Sequence, residues 1–275
     1  MHSTITASTD ARSAKYIHGA AMALDFQTTD LNNLSDLRKA VITNTYSAVF
    51  VDARFGIEEA VDVAQMVWSV SPFTLFGIFN FYGTIEEDWR IRFIGGNAYH
   101  GKDAVPEIKE ALKKLPLQVT QGIKRQICLV EDLDSPRQII SSYLQALGYG
   151  TVIDAANGKE AIEILEKAPK DFFCVITDLN MPEMSGTDLI GYIRRSKTLM
   201  HLPIMVLTSF GNMETLINCM KIGATGFLVK PPKKNHLRLE MEKAIRIMVN
   251  HQSPRLCSPE EAPLLEGLLA HLVTP

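Results

Sequence analysis

From Arg125 onward the chain alternates short apolar runs with amphipathic stretches. Residues 127–130 form an apolar run of the kind that fills a buried parallel strand, and it ends at Glu131 and Asp132. Ser135 and Pro136 then predict a helix start, with the serine as cap and the proline at the first helical position. Ile139, Ile140, Tyr143, Leu144 and Leu147 recur at three- and four-residue spacing until Gly148 and Gly150 stop them. The same grammar predicts strands over 151–155, 172–177, 204–207 and 226–229, that over 172–177 running into Asp178 and the last closed by Lys230-Pro231-Pro232. Helices are predicted over 158–167, 184–195, 214–222 and 235–248.

Short apolar strands alternating with amphipathic helices imply a parallel sheet covered on both faces. Right-handed crossovers bring every strand's C-terminal end to one edge, where ligand chemistry collects in such sheets. That edge carries Glu131, Asp132, Asp178, Thr208 and Lys230.

The first half repeats the plan loosely. Residues 48–52 match 174–178 in pattern, and Asp52 precedes Asp178 by about one domain length. Residues 56–70 read as a helix, 73–79 as a strand and 104–115 as a closing helix; 98–102 can be laid over 226–230, which places Lys102 on Lys230. Upstream of Asp52 the pattern offers one strand, 21–26, and one helix, 31–41. No strand ending in an acidic pair is legible in residues 1–20. The expected organisation is a first domain over 1–115, a linker over 116–125, a second domain over 126–250 and a peripheral tail over 251–275.

Composition narrows the function classes. The 275 residues are 46% hydrophobic and 21% charged, enough for real cores and too apolar for a disordered chain. With 28 basic against 31 acidic side chains the net charge is -3, which announces no nucleic-acid-binding surface. The longest nearly apolar stretch, 72–81, is far short of the ~20 residues a bilayer span needs, and the first thirty residues lack a secretion signal. Cys128, Cys174, Cys219 and Cys257 include no Cys-x-x-Cys pair, so reduced thiols in a cytoplasmic protein are expected. His18, His100, His201, His236 and His251 have no metal-ligand spacing. Trp68, Trp89 and the phenylalanines of 73–81 read as packing residues rather than a ligand box.

Three carboxylates at adjacent strand ends repel one another, so Glu131, Asp132 and Asp178 imply a cation. All-oxygen ligands without histidine or cysteine suit Mg²⁺. Lys230 adds a mobile positive charge and Thr208 a hydroxyl. Carboxylate, hard cation, lysine and hydroxyl together can place a phosphoryl group on an aspartate. Taken singly, each of these residues reads equally well as a helix cap or an ion-pair partner; five at one edge do not.

In these motifs, residues 126–248 resemble a response-regulator receiver domain of two-component signalling. The matching pieces are Leu129-Val130-Glu131-Asp132, Thr177-Asp178-Leu179-Asn180-Met181-Pro182, Leu207-Thr208-Ser209 and Gly226-Phe227-Leu228-Val229-Lys230-Pro231. The resemblance implies a flavodoxin-like (βα)5 three-layer domain with strand order 2-1-3-4-5. It implies Asp178 as phosphoacceptor and Mg²⁺ bound directly by Asp132 and Asp178, through water by Glu131, and by the backbone carbonyl of Asn180. Thr208 and Lys230 would contact the phosphoryl group, Thr208 and Phe227 would act as the switch, and Lys230-Pro231 would be cis. Glu131 departs mildly from the family's aspartate. The implied donor is a histidine kinase or histidine phosphotransfer protein, and the implied output is a protein partner, with a homodimer as one option and neither nucleic acid nor membrane involved. On this reading the chain is an acceptor, not an enzyme.

The first half resembles a degenerate or incomplete receiver only weakly. Asp52 stands where a phosphoacceptor would, but Arg54 takes the place of Asn180, and Asp25 follows a strand that reads as the second. Asp52 is expected to be a cap or ion-pair partner. Met213, Leu216, Ile217 and Met220 exceed what one buried helix face needs, so some are expected to be exposed for a partner. Two other readings stand beside this one: a regulatory front end of a larger signalling enzyme (a nucleotide cyclase or hybrid histidine kinase), and an unphosphorylated scaffold.

Overall fold

The computed structural model of the chain describes residues 2–101, 104–122, 126–209, 213–249, 257–258, 260–265 and 267, with backbone only at 116–122, 213 and 249. The chain divides into two compact units, Met1–Thr120 with Val249–His251, and Gln121–Met248 with Gln252–Pro275.

The first unit runs β1 (Ser3–Ala7), α1 (Ala11–Met22), β2 (Gln27–Leu31), α2 (Leu34–Thr43), β3 (Ala48–Asp52), α3 (Ile57–Val70), β4 (Leu75–Phe81), α4 (Ile85–Phe93), β5 (Asn97–His100) and α5 (Ala104–Gly122). Its five strands lie in the order β2-β1-β3-β4-β5, all parallel. The second runs β6 (Gln126–Val130), α6 (Asp134–Ala146), β7 (Val152–Ala155), α7 (Gly158–Lys167), β8 (Phe172–Asp178), α8 (Gly186–Arg195), β9 (Ile204–Thr208), α9 (Met213–Lys221), β10 (Gly226–Val229) and α10 (Lys234–Val249). Its order, β7-β6-β8-β9-β10, is the same 2-1-3-4-5 arrangement of a flavodoxin-like domain.

The central strands β3 and β8 are buried at every residue, as continuous apolar runs between two helical layers require. In the first domain Val49, Val51, Val63, Trp68, Phe76 and Phe81 share one core, with the Trp68 indole donating to the carbonyl of Thr74 at 3.0 Å. Trp89 is buried as well, so both tryptophans pack. Cys128 and Cys174 are buried in β6 and β8, where burial pushes the Cys128 thiol up to about 12.

Several expectations need correction. The first domain has all five strands and is not incomplete. Its β1 precedes the segment 21–26, which is no strand but the end of α1 and a turn in which Asp25 takes a left-handed φ of 60°. The charged helix α4, capped by a Thr84–Glu87 box, was not expected. Ser135 does not cap α6; Leu133 holds that position without a side-chain hydrogen bond. The segment read as a linker is helical through Gly122. Leu216, Ile217 and Met220 are all buried rather than exposed, because α9 packs against the sheet on a broad face; the side chain of Met213 lies outside the described residues. In the tail, Ala262 and Leu265 are buried, so that turn is packed rather than peripheral. Lys230–Pro231 is cis. Among the described residues no helix is long and apolar enough to cross a membrane.

Candidate functional site

Parallel register brings the ends of β6, β8, β9 and β10 together. Val130 pairs with Thr177, Asp178 with Leu207, and Thr208 with Val229. Glu131 and Asp132 follow β6 directly, Asp178 ends β8, and Lys230 follows β10. The Lys230 backbone N–H donates to the Thr208 carbonyl at 2.8 Å, tying the last two strand ends together. All five edge residues singled out in the sequence therefore share one end of one sheet.

One carboxylate oxygen from each of Glu131, Asp132 and Asp178 lies within 4.8 Å of the others. Lys230 Nζ sits 2.7 Å from Glu131 Oε2 and 2.9 Å from Asp178 Oδ2. Partial burial works against the ammonium charge, but the hydrogen bonds to Glu131 and Asp178 outweigh it and hold Lys230 above the usual lysine value. Asp178 Oδ1 accepts from the Leu179 backbone N–H at 2.8 Å. Glu131 is fully buried and Asp178 nearly so, whereas Asp132 is half-buried and makes no hydrogen bond or ion pair among the described residues. Thr208 is buried, its hydroxyl turned to the Ser209 carbonyl at 3.3 Å. Asn180 is exposed, and Phe227 is half-buried on β10.

Two further residues shape the site. Arg137 Nη1 donates to the Glu131 carbonyl at 2.5 Å, bracing the turn that carries the acidic pair. Gly186 starts α8 against the Asp178 backbone: a Cβ there would fall 2.1 Å from the Asp178 carbonyl oxygen. Sequence reading gave neither a role. Arg137 offered only its spacing from Asp134, with which it pairs.

Three carboxylates face one lysine, which leaves an excess of two negative charges. Glu131 Oε1 is buried and accepts no hydrogen bond among the described residues, an arrangement costly unless something else satisfies it. The donors are all oxygen. A hard divalent cation with bound water fits both the charge and the unsatisfied atom.

The sequence model of the response regulator receiver domain matches residues 127–242. The Vibrio cholerae chemotaxis protein CheY-3 is 35% identical over 118 residues, which span 43% of this chain and 89% of that protein. The chain belongs to the response-regulator receiver family. The Helicobacter pylori chemotaxis protein CheY1 is 36% identical over 42% of this chain and 94% of its own length. The solved structure of Vibrio cholerae CheY4 is 33% identical, covering 44% of this chain and 98% of its own, with a TM-score of 0.40. The family match falls on the second domain, whose acidic cluster is typical of Mg²⁺-dependent aspartate phosphorylation sites in response regulators. A receiver is a substrate of phosphoryl transfer rather than a catalyst, and membership implies an exchange with a histidine kinase or phosphotransfer protein.

The first domain presents the same sheet edge with different chemistry. Asp52 ends β3 as Asp178 ends β8, and it is wholly excluded from solvent. Arg54 Nη2 reaches Asp52 Oδ2 at 2.5 Å and Arg54 Nε reaches Oδ1 at 2.9 Å. Ser8, directly after β1, donates to Oδ2 at 2.5 Å, and Asn80 Nδ2 donates to it at 3.1 Å. Asp52 also caps the short turn that follows it through the Arg54 N–H. A guanidinium thus satisfies the carboxylate, and no acidic pair stands beside it. Lys102, laid over Lys230 from the sequence, lies outside the described residues. Asp25 sits in a turn after α1 and ends no strand.

Burial alone would raise the Asp52 pKa; the hydrogen bonds from Arg54 and Ser8 outweigh it and hold the carboxyl below the usual range. A depressed carboxyl contributes stability above its unfolded value near ~3.9, and that contribution is lost as pH falls through the folded value. Asp52→Asn should therefore destabilise the first domain by roughly 2 kcal/mol at neutral pH, less than a fully buried pair because Arg54 is nearly half-exposed. The deficit should shrink below about pH 4 and vanish once wild-type Asp52 is protonated. Both tryptophans of the chain lie in this domain, so denaturation followed by tryptophan fluorescence at several pH values reads it directly. A deficit that does not change with pH would show that Asp52 is not the titrating partner.

Proposed function

We propose that the second domain accepts a phosphoryl group on Asp178 from a histidine kinase or histidine phosphotransfer protein and signals through protein contacts. The observation that carries this reading is the convergence of Glu131, Asp132 and Asp178 around the Lys230 ammonium. Asp132, Asp178 and the Asn180 backbone carbonyl would hold Mg²⁺, with Glu131 contributing through water. Bound there, Mg²⁺ supplies charge neutralisation for the incoming group.

The chain's own residues do the rest. Asp178 Oδ2 attacks the phosphorus as the phosphorus–nitrogen bond to the donor histidine breaks and its imidazole leaves with the electron pair, and the flexible lysine stem lets Lys230 follow the phosphoryl oxygens. The Thr208 hydroxyl rotates from the Ser209 carbonyl to donate to a phosphoryl oxygen, and small Ser209 leaves room. The space Thr208 vacates draws in half-buried Phe227, and α9 shifts with it. Phosphorylation so favours one of two nearby states and alters the surface formed by α9, β10 and α10.

Intact-mass analysis after treatment with a small phosphodonor and Mg²⁺ should show one added phosphoryl group. Asp178→Asn should abolish it, and Asp52→Asn should leave it. Two additions, or label surviving in the Asp178 variant, would overturn the assignment.

A further inference from the structure

The first domain holds a cleft for which phosphoryl transfer in the second has no use. Its volume is about 440 Å³, within the range of small-molecule sites, and it opens between α1, the end of β4 and the start of α5. Ile17, Phe79 and Ile108 give it a buried apolar floor. Tyr16 and Tyr82 line it too, at 62% and 79% exposure. Tyr82 lies over Gly101, whose φ of 58° suits glycine and where a Cβ would come 3.3 Å from the tyrosine hydroxyl. Two tyrosines exposed beside an apolar floor are a surface that rewards a flat apolar ligand.

The polar groups are unevenly committed. Asp10 is taken up by Ser13 Oγ at 2.8 Å, by the Arg12 N–H at 3.0 Å and by Arg54 at 3.5 Å. The Arg12 guanidinium, which lines the same cleft, makes no hydrogen bond or ion pair among the described residues. Among the described residues Arg12 and Arg54 balance Asp10 and Asp52, which leaves no surplus positive charge there for a phosphate dianion. A single carboxylate paired with Arg12 meets the charge and the fork geometry of the guanidinium. Asn80 donates to Asp52, while its carbonyl oxygen accepts nothing among the described residues and is left for the cleft.

We propose that this cleft binds a small aromatic monocarboxylate, its ring against Tyr16, Tyr82 and the apolar floor and its carboxylate on Arg12. Asn80 follows the β4 residue that pairs with Asp52, as Thr208 follows the β9 residue that pairs with Asp178. Asn80 lines the cleft and donates to Asp52, so the cleft adjoins the solvent-excluded carboxylate of the first domain. The inference does not depend on phosphoryl transfer to Asp178.

The probe is benzoate, with benzamide as its neutral counterpart, titrated into the full chain and followed by NMR of labelled tyrosines. Benzoate should bind with a dissociation constant on the order of 1 mM, as suits so small a ligand, and shift Tyr16 and Tyr82. Benzamide should bind about tenfold more weakly, and Arg12→Gln should bring benzoate down to that level. Tyr82→Ala, a change at an exposed position, should weaken both ligands. Asp178→Asn should bind benzoate as wild type does, which separates this site from the phosphorylation site. Absence of binding, equal affinity for benzamide, an unchanged Arg12 variant, or shifts confined to tyrosines outside the cleft would each overturn the proposal.

Discussion

Asp132→Ala should lower the rate of Mg²⁺-dependent phosphorylation on the order of 100-fold while leaving the chain folded. The site carries two more negative charges than Lys230 can neutralise, and Asp132 is the member with no partner among the described residues. Without metal, deleting it relieves repulsion, so the variant should melt no lower than wild type. Added Mg²⁺ should raise the melting temperature of wild type and leave the variant unmoved. Glu131→Ala should give a weaker defect, since Glu131 is already engaged by Lys230. Melting curves with and without Mg²⁺, beside a phosphorylation time course, check both halves of the argument. Equal Mg²⁺ stabilisation of wild type and the Asp132 variant would remove Asp132 from the metal site.

Gly186→Ala should destabilise the second domain by about 3 kcal/mol, because its Cβ meets backbone rather than a movable side chain. The new methyl would sit 2.1 Å from the Asp178 carbonyl oxygen and 3.0 Å from the Leu179 Cα. Relief requires α8 to retreat from β8, and the hydrogen bond from Gly186 N to the Leu179 carbonyl at 3.0 Å goes with it. Asp178 would be displaced in the same movement, so phosphorylation should fall together with stability. Gly191→Ala is the control within the same helix. Its Cβ would meet only the flexible end of Arg195, at 3.2 Å, so helix propensity should leave it neutral or slightly stabilising. Calorimetry of the full chain separates the two outcomes, and similar behaviour of both variants would show that the close approach at Gly186 is not limiting.

What was legible in the sequence follows from where each strand lies. β8 and β3 sit at the centre of their sheets and are buried at every position, so their composition is nearly unbroken apolar. β1 reads Ser-Thr-Ile-Thr-Ala and the edge strand β2 reads Gln-Thr-Thr-Asp-Leu. Hydroxyl-rich strands of that kind leave little hydrophobic period to detect. α4 escaped notice for a related reason: its charges surround a few buried residues, and its cap rather than its apolar face marks it. Glu131, Asp132, Asp178, Thr208 and Lys230 were readable because each stands at a strand end, where order along the chain dictates nearness in space. Ser8 and Asn80 act on Asp52 across the sheet, and Arg137 acts on a backbone carbonyl. Such roles belong to tertiary contacts and leave no local mark.

Arg54 also makes the difference between the two domains hard to undo one residue at a time. Losing Arg54 alone strips a solvent-excluded carboxylate of its strongest donor. Introducing an acidic residue at Ser8 alone sets a like charge beside Asp52 and removes another donor at once. A metal site at this edge would need both changes together, with Asp10 on the adjoining turn released from Arg54. Each single step goes uphill, so the guanidinium acts as a built-in counter-ion that no exchangeable cation can replace through one substitution.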